Sequence, residues 1–355
     1  MSPRENLLKA LRREGPANVP VDFVLCPSQV EDFKKRFGHD DYASWFGLPH
    51  RTAWIPHVPT YEDGRSLYAG ELPERIRFDG WGVGHSEGSE AAMHMTRLHH
   101  PLQGNITLED VENHSMPSID DGDVERIRQD VADAHEAGLA FKGNMGQTIW
   151  EKAWAIRSME ELMMDMMDED EKAFLLLDRV MQCNLDRAVL FAQMGADIIG
   201  LGDDIGTQHG PMMSVDMWRT WLKPRLKKVI DAAKAEKPDV LIFYHSCGDV
   251  SEFLEELADV GIDILNPVQP ECMDFQDVYD RIGDRMSFWG TIGTQKVLPF
   301  GTPDDVRAEV FKNVNICGQQ GGVVIAPTHL VEPEVPWENL VALRDAAAEI
   351  NYTAW

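Results

Sequence analysis

Two side chains set the chemistry this sequence can do. Val240 to Val250 reads VLIFYHSCGDV, an apolar run that ends in His245 and Cys247. The run is rich in Val, Ile, Phe and Tyr and is bounded by Pro238 and Gly248, so it predicts a buried strand. Residues at i and i+2 share one face of a strand, so His245 and Cys247 project together from its end. Imidazole and thiolate form a zinc-type ligand pair. The alternative is a small buried thiol beside a hydrogen-bonded histidine.

A third donor is to be sought at the ends of other strands. His329 ends the last apolar run, VVIAPTH, and is the candidate third metal ligand. Three protein ligands with one open position is the pattern of a catalytic zinc; the alternative for His329 is a backbone hydrogen bond. Asp203 and Asp204 follow the run ADIIGL and could orient a ligand histidine, act in acid–base steps, or simply cap the following helix. Glu151 lies a few residues after another strand and could face the same pocket, or be a first-turn helix charge. Asn144, Gln147, Asn266 and Gln269 also fall at strand ends, where they could bind substrate. Cys317 falls on an apolar stripe with Val306, Val310 and Val314 and reads as core. Cys272 reads as a loop thiol near a strand end.

The elements that must position these groups alternate. Strands are predicted to begin at Pro20, Leu139, Ala196, Val240, Ile262, Arg285 and Gly322, with an eighth expected near Phe78. Helices are predicted between them, among them residues 3–14, 124–137, 171–194, 214–234, 303–320 and 336–350. Strands alternating with helices mean a parallel sheet, and eight such units mean a (β/α)8 TIM barrel with its chemistry at the C-terminal strand ends. Residues 38–120 are irregular and read as an N-terminal cap or insertion over the pocket, within one barrel domain of 355 residues. That stretch holds His50, His57, His85, His94, His99 and His100, any of which could reach the pocket.

Composition excludes some partners. The net charge of −27 repels phosphate, which argues against nucleic acid and anionic membranes. No apolar run approaches the ~18 residues of a membrane span, and the charged N-terminus lacks a signal-peptide core, so a cytoplasmic protein is expected. Five cysteines in a chain of this kind favour reduced thiols or metal ligation over disulfides. Oligomeric state is not legible, and a homodimer stays open.

The stretches SPRENLLKALRREGPANVPV, GADIIGLGDDIGTQHGPMMS, YHSCGDVSEFLEELADVGIDILNPVQ, FWGTIGTQKVLPFGTP and GGVVIAPTHLVEPEVPWENL together resemble the uroporphyrinogen decarboxylase superfamily. The resemblance implies a (β/α)8 barrel. It covers most of residues 1–20 and 190–345. The decarboxylase branch holds porphyrin carboxylates with an Arg-rich N-terminal motif, which CPSQVEDFKKRFG does not match. The branch of corrinoid-linked zinc methyltransferases carries His-x-Cys and a later Cys as ligands. His245 and Cys247 match the first two, and His329 stands where that branch has its second thiolate. Cobalamin-independent methionine synthase resembles the same layout but adds a Glu near the place of Gln269. The resemblance therefore implies zinc and a methyl group moving between a small methylated donor, or a thiol or pterin acceptor, and methylcobalamin or another corrinoid on a partner protein. The alternative is a decarboxylase or lyase acting on a small carboxylic acid with acid–base residues in the same pocket.

Overall fold

The computed structural model describes residues 1–86 and 96–352. Seven parallel strands form one curled sheet in the order β1 (His50–Ala53), β5 (Ala140–Asn144), β6 (Ile198–Gly202), β9 (Leu241–His245), β10 (Ile264–Asn266), β11 (Ser287–Trp289) and β12 (Val323–Val324). Residues 20–25 supply the eighth position. They bridge in parallel to the segment that follows β12, at Val21–Ile325 and Leu25–Val331, and Asp22 reaches across to His50 of β1, with Oδ1 3.1 Å from Nε2. The arrangement is a (β/α)8 barrel, as the alternation of strands and helices predicts.

The eighth strand is not where the sequence reading puts it. Phe78 ends β2 (Ile76–Phe78), which joins β3 (Gly84–Ser86) and β4 (Arg97–His99) in a small antiparallel sheet. The barrel strand is His50–Ala53 instead, inside the stretch expected to be a cap. HRTA carries no apolar run, and its one buried residue is the polar His50, so hydrophobic pattern could not reveal it. The remaining strands, β7 (Gly206–Thr207) and β8 (Gly210–Pro211), form a short ribbon after β6.

The helix predicted over 214–234 is two helices, Val215–Trp221 and Lys223–Glu236. Pro224 causes the break: it has no N–H to give the carbonyl of Thr220, and its ring crowds that carbonyl. Pro is tolerated there because it sits in the first turn of the second helix.

The barrel interior is closed from below. The helix Pro3–Arg12 is capped by Ser2, whose hydroxyl accepts the Glu5 N–H while the Glu5 carboxylate accepts the Ser2 N–H. Its Leu7 and Leu11 pack beneath Ala140, Ile198, Leu241, Ile264 and Val324, inward residues of five strands. Arg4 fixes the helix by pairing with buried Asp197 at 2.7 Å. Chemistry is thereby confined to the other end, where the strands' C-termini open. Among the described residues no helix is long and apolar enough to cross a membrane.

Leu7 is fully buried. Leu7→Ala is expected to cost about 2–5 kcal/mol through the cavity it leaves, read as a lowered urea midpoint with an unchanged slope. A cost near zero would mean that the helix does not seal the barrel.

Candidate metal and substrate site

The sheet register brings the site together. Gly202 of β6 pairs with His245 of β9, which pairs with Asn266 of β10. Gly202 must lack a side chain, since a Cβ there would lie 2.9 Å from both Cβ and the carbonyl oxygen of His245. On the other side, Asn266 Oδ1 lies 2.6 Å from His245 Nδ1, while Asn266 Nδ2 donates to the Trp289 carbonyl at 2.5 Å. With its amide nitrogen donating, Asn266 offers His245 only an acceptor. Nδ1 of His245 therefore carries the hydrogen, and Nε2 presents a lone pair.

That lone pair faces Cys247 Sγ at 3.4 Å and Asp204 Oδ1 at 3.8 Å. The donor atoms of Asp204, His245 and Cys247 all lie within 4.8 Å of one another. One nitrogen, one sulfur and one carboxylate oxygen, all half-buried, make a set suited to a divalent ion. The loop that carries Cys247 is tightly held. Its N–H donates to Asp204 Oδ1 at 2.8 Å, and the Gly248 N–H donates to Gln269 Oε1 at 3.1 Å. Gly248 has φ +83°, and a Cβ on it would meet the Thr207 carbonyl at 2.6 Å.

His329, expected as the third ligand, is not brought into this group. It is exposed, and its ring centroid stands 6.4 Å from that of His245. The third donor atom near His245 and Cys247 is that of Asp204. Asp203 turns away from the cleft. Its buried carboxylate accepts the N–H groups of Ile149 and Glu151 and so caps the helix Trp150–Arg157. Burial pushes that carboxyl up to about 7 against the pull of those N–H groups. Glu151, in the first turn of this helix, accepts the Asp204 N–H at 3.1 Å. Burial, with Asp204 and Asp203 adding repulsion, pushes the Glu151 carboxyl up to about 8. Burial and the same acids, Asp204 and Glu151, push the Cys247 thiol up to about 12.

Two cavities meet here. A cleft of about 450 Å³ at the barrel mouth is lined by Asn144, Gln147, Glu151, Asp204, His245 and Asn266, among others. A second cavity of about 390 Å³ reaches Cys247, Gln269 and Thr294 from the side. Thr328, His329 and Leu330 line both. Asn144, Gln147 and Asn266 thus line the main cleft, whereas Gln269 lines the side cavity.

Cys26 is buried beside Ser28 and lines neither cavity. Cys272 lies in a separate hollow and Cys317 in the core. Of the histidines in 38–120, His57 packs on Trp81, His85 and His99 lie in the antiparallel sheet, and His100 bonds to the Ala155 carbonyl. None of these lines the main cleft, and neither does His50; His94 lies outside the described residues. Trp54 is the member of that stretch which lines the cleft. Sequence reading missed Asp22 and Lys142, which also line it. The available signal was a lone charge inside an apolar strand, in PVDFVL and LAFKGNM.

Residues 147–350 match the family described as Uroporphyrinogen decarboxylase (URO-D), and the chain belongs to that family. It is 30% identical over 184 residues to a methylcobamide:CoM methyltransferase MtaA of Methanosarcina barkeri, covering 50% of each chain. It is 28% identical over 184 residues to a uroporphyrinogen decarboxylase of Chlorobium luteolum, covering 51% of this chain and 50% of that one. The chain spans about half the length of the curated relatives it matches. A solved structure of a methyltransferase from Methanosarcina mazei superposes over 98% of this chain and 99% of that one, with TM-score 0.71 and 20% identity, and shares the fold.

Folded Glu151 keeps its proton to about pH 8, against an ordinary value of 4.5. The raised folded value adds stability that is fully present below pH 4.5 and lost as pH rises to 8. Buried His57 and His114, held down to about 3 and about 4, titrate in the opposite sense below pH 6.5, so the comparison is with a variant. Glu151→Gln should stabilise the metal-free protein more at pH 8.5 than at pH 5.5, by on the order of 1–3 kcal/mol. Equal urea midpoint differences at the two pH values would contradict the assignment.

Proposed function

We propose that this protein is a zinc-dependent methyltransferase. It moves a methyl group between a small methylated substrate, or a thiol or pterin acceptor, and a corrinoid held by a partner protein. The observation that carries the reading is the cluster of Asp204, His245 and Cys247 donors at the ends of two neighbouring barrel strands. The branch carrying His-x-Cys, and the methyltransferases among the relatives, support it.

Asp204, His245 and Cys247 would hold the ion. Zinc, when bound, supplies a Lewis acid that polarises the methyl-bearing heteroatom or keeps an acceptor thiol as thiolate. Asn266 fixes the tautomer of His245, so that Nε2 is ready as a donor. Cys247 gives up its proton on ligation, so affinity rises with pH. Thiolate and carboxylate together balance a dication. The charge argument drawn from a set of His245, Cys247 and His329, which favours activation of a methylated donor, therefore weighs less, and direction of transfer stays open. Glu151, protonated at neutral pH in the metal-free site, is the group to deliver a proton to a heteroatom that has lost its methyl. Asp203 acts through the helix it caps, by positioning Glu151. Asn144 and Gln147 contact the small substrate from the main cleft. His329, on the wall between the cavities, meets the second reactant, and residues 38–120 contribute the cover through Trp54.

The test pairs zinc analysis with methyl transfer from methylated ethers, amines and thiols to cob(I)alamin, followed by its absorbance. Wild type should bind about one zinc per chain and lose transfer when chelated. Asp204→Ala, His245→Ala and Cys247→Ala should lose both, while His329→Ala keeps zinc. Asn266→Ala should weaken zinc binding by roughly 10–100-fold. Full transfer by metal-free protein would overturn the reading; release of carbon dioxide from a small acid without corrinoid would favour a decarboxylase.

A further inference from the structure

Lys142 is a charge that the metal chemistry does not use. It lies on the inward face of β5, two residues below Asn144, and is only 8% exposed. Its Nζ sits over two rings, 4.4 Å from the centroid of Phe243 and 5.1 Å from that of Trp289. Among the described residues its side chain takes no hydrogen bond and no ion pair. Asp22 supplies charge nearby but is already engaged: Oδ1 lies 3.1 Å from His50 Nε2, and Oδ2 accepts the Trp289 Nε1–H at 3.0 Å. The rings of Phe243 and Trp289 stabilise a cation in part, but they offer no acceptor lone pair. A buried ammonium without an acceptor is costly unless something in the cleft completes its shell.

The cleft that Lys142 lines is the one that Asp204 and His245 line. Register gives the spacing. Lys142 pairs with Ile198, and Ile198 with Leu241, four residues before His245 on β9. The lysine chain spans about half that rise, reaching the ring of Phe243. The two residues left correspond to about 7 Å along the strand, the length of a small organic acid.

We propose that Lys142 receives the acidic group of the substrate: an organic monoanion, carboxylate or sulfonate, that lies along the barrel axis. Its acid end docks on Nζ near the floor, and its methyl-bearing heteroatom reaches Asp204, His245 and Cys247 at the rim. The aromatic walls, Phe243 and Trp289, select a compact, partly apolar body between the two ends. This assignment of substrate class rests on the reading of the cleft as a methyl-transfer site. Burial lowers the basicity of Lys142, with Asp22 opposing, so a bound anion also stabilises its proton.

The experiment is calorimetric titration of zinc-free protein, in chelator, with benzoate, benzenesulfonate and neutral benzamide. At least one anion should bind saturably, at least tenfold more tightly than benzamide, and Lys142→Met should weaken it at least tenfold without touching benzamide. Lys142→Gln serves as the second variant if the methionine form does not fold. Tighter benzoate identifies a carboxylate substrate and tighter benzenesulfonate a sulfonate; both support the proposal. Anion affinity unchanged by loss of Lys142, benzamide binding as tight as benzoate, or no binding of either anion overturns it. A protein that binds zinc and transfers methyl but shows lysine-independent acid binding fails this proposal alone. One that binds benzoate through Lys142 but never zinc fails the metal reading alone.

Discussion

The row Gly202–His245–Asn266 is the contact on which the site depends. Three neighbouring strands place these residues side by side, and the parallel register leaves no freedom to slide one without turning its side chains to the other face. Glycine on one side lets β6 approach His245 closely. The amide on the other fixes which ring nitrogen bears the hydrogen. Everything else in the donor group follows: Cys247 is two residues beyond His245, and Asp204 two beyond Gly202.

Electrostatics then shapes what this geometry can do. Asp203, Asp204 and Glu151 are crowded into a half-buried space, and the chain resolves the crowding in three ways. Asp203 is surrounded by backbone N–H groups at a helix start. Glu151 keeps its proton. Asp204 remains beside His245 and Cys247, where a divalent ion would balance it. The ammonium of Lys142 lies below, held against aromatic faces rather than against these acids. The cleft thus gathers Asp204 and Glu151 at the rim, whereas the Lys142 ammonium and the Asp22 carboxylate lie near each other at the floor.

Much of this was legible in the sequence where burial dictates pattern. Strands such as Ile198–Gly202 and Leu241–His245 are apolar on both faces and announce themselves, as does the pair His245 and Cys247 at a strand end. His50–Ala53 was illegible because a short, polar strand leaves no hydrophobic trace; its place comes from pairing with β5. The split at Pro224 is written in its missing N–H, but the strong periodicity of the surrounding stretch masks it. That Asp204 rather than His329 lies beside His245 and Cys247 reflects a different limit. Sequence says which residues stand at strand ends, but the distance across the barrel mouth depends on how each loop turns, and the loop after β12 leaves the His329 ring centroid 6.4 Å from that of His245. Lys142 and Asp22 were visible as charges in apolar strands, and alternation alone places Lys142 with Ala140 and Asn144 on the inner face.

The most direct measurement is zinc K-edge X-ray absorption on the zinc-loaded wild-type protein. The account predicts one sulfur neighbour at about 2.3 Å and the remaining neighbours nitrogen or oxygen at about 2.0–2.2 Å, with the sulfur shell gone in Cys247→Ser. A shell of oxygen alone, or a sulfur shell that survives loss of Cys247, would contradict the assignment of Asp204, His245 and Cys247 as the metal-binding group.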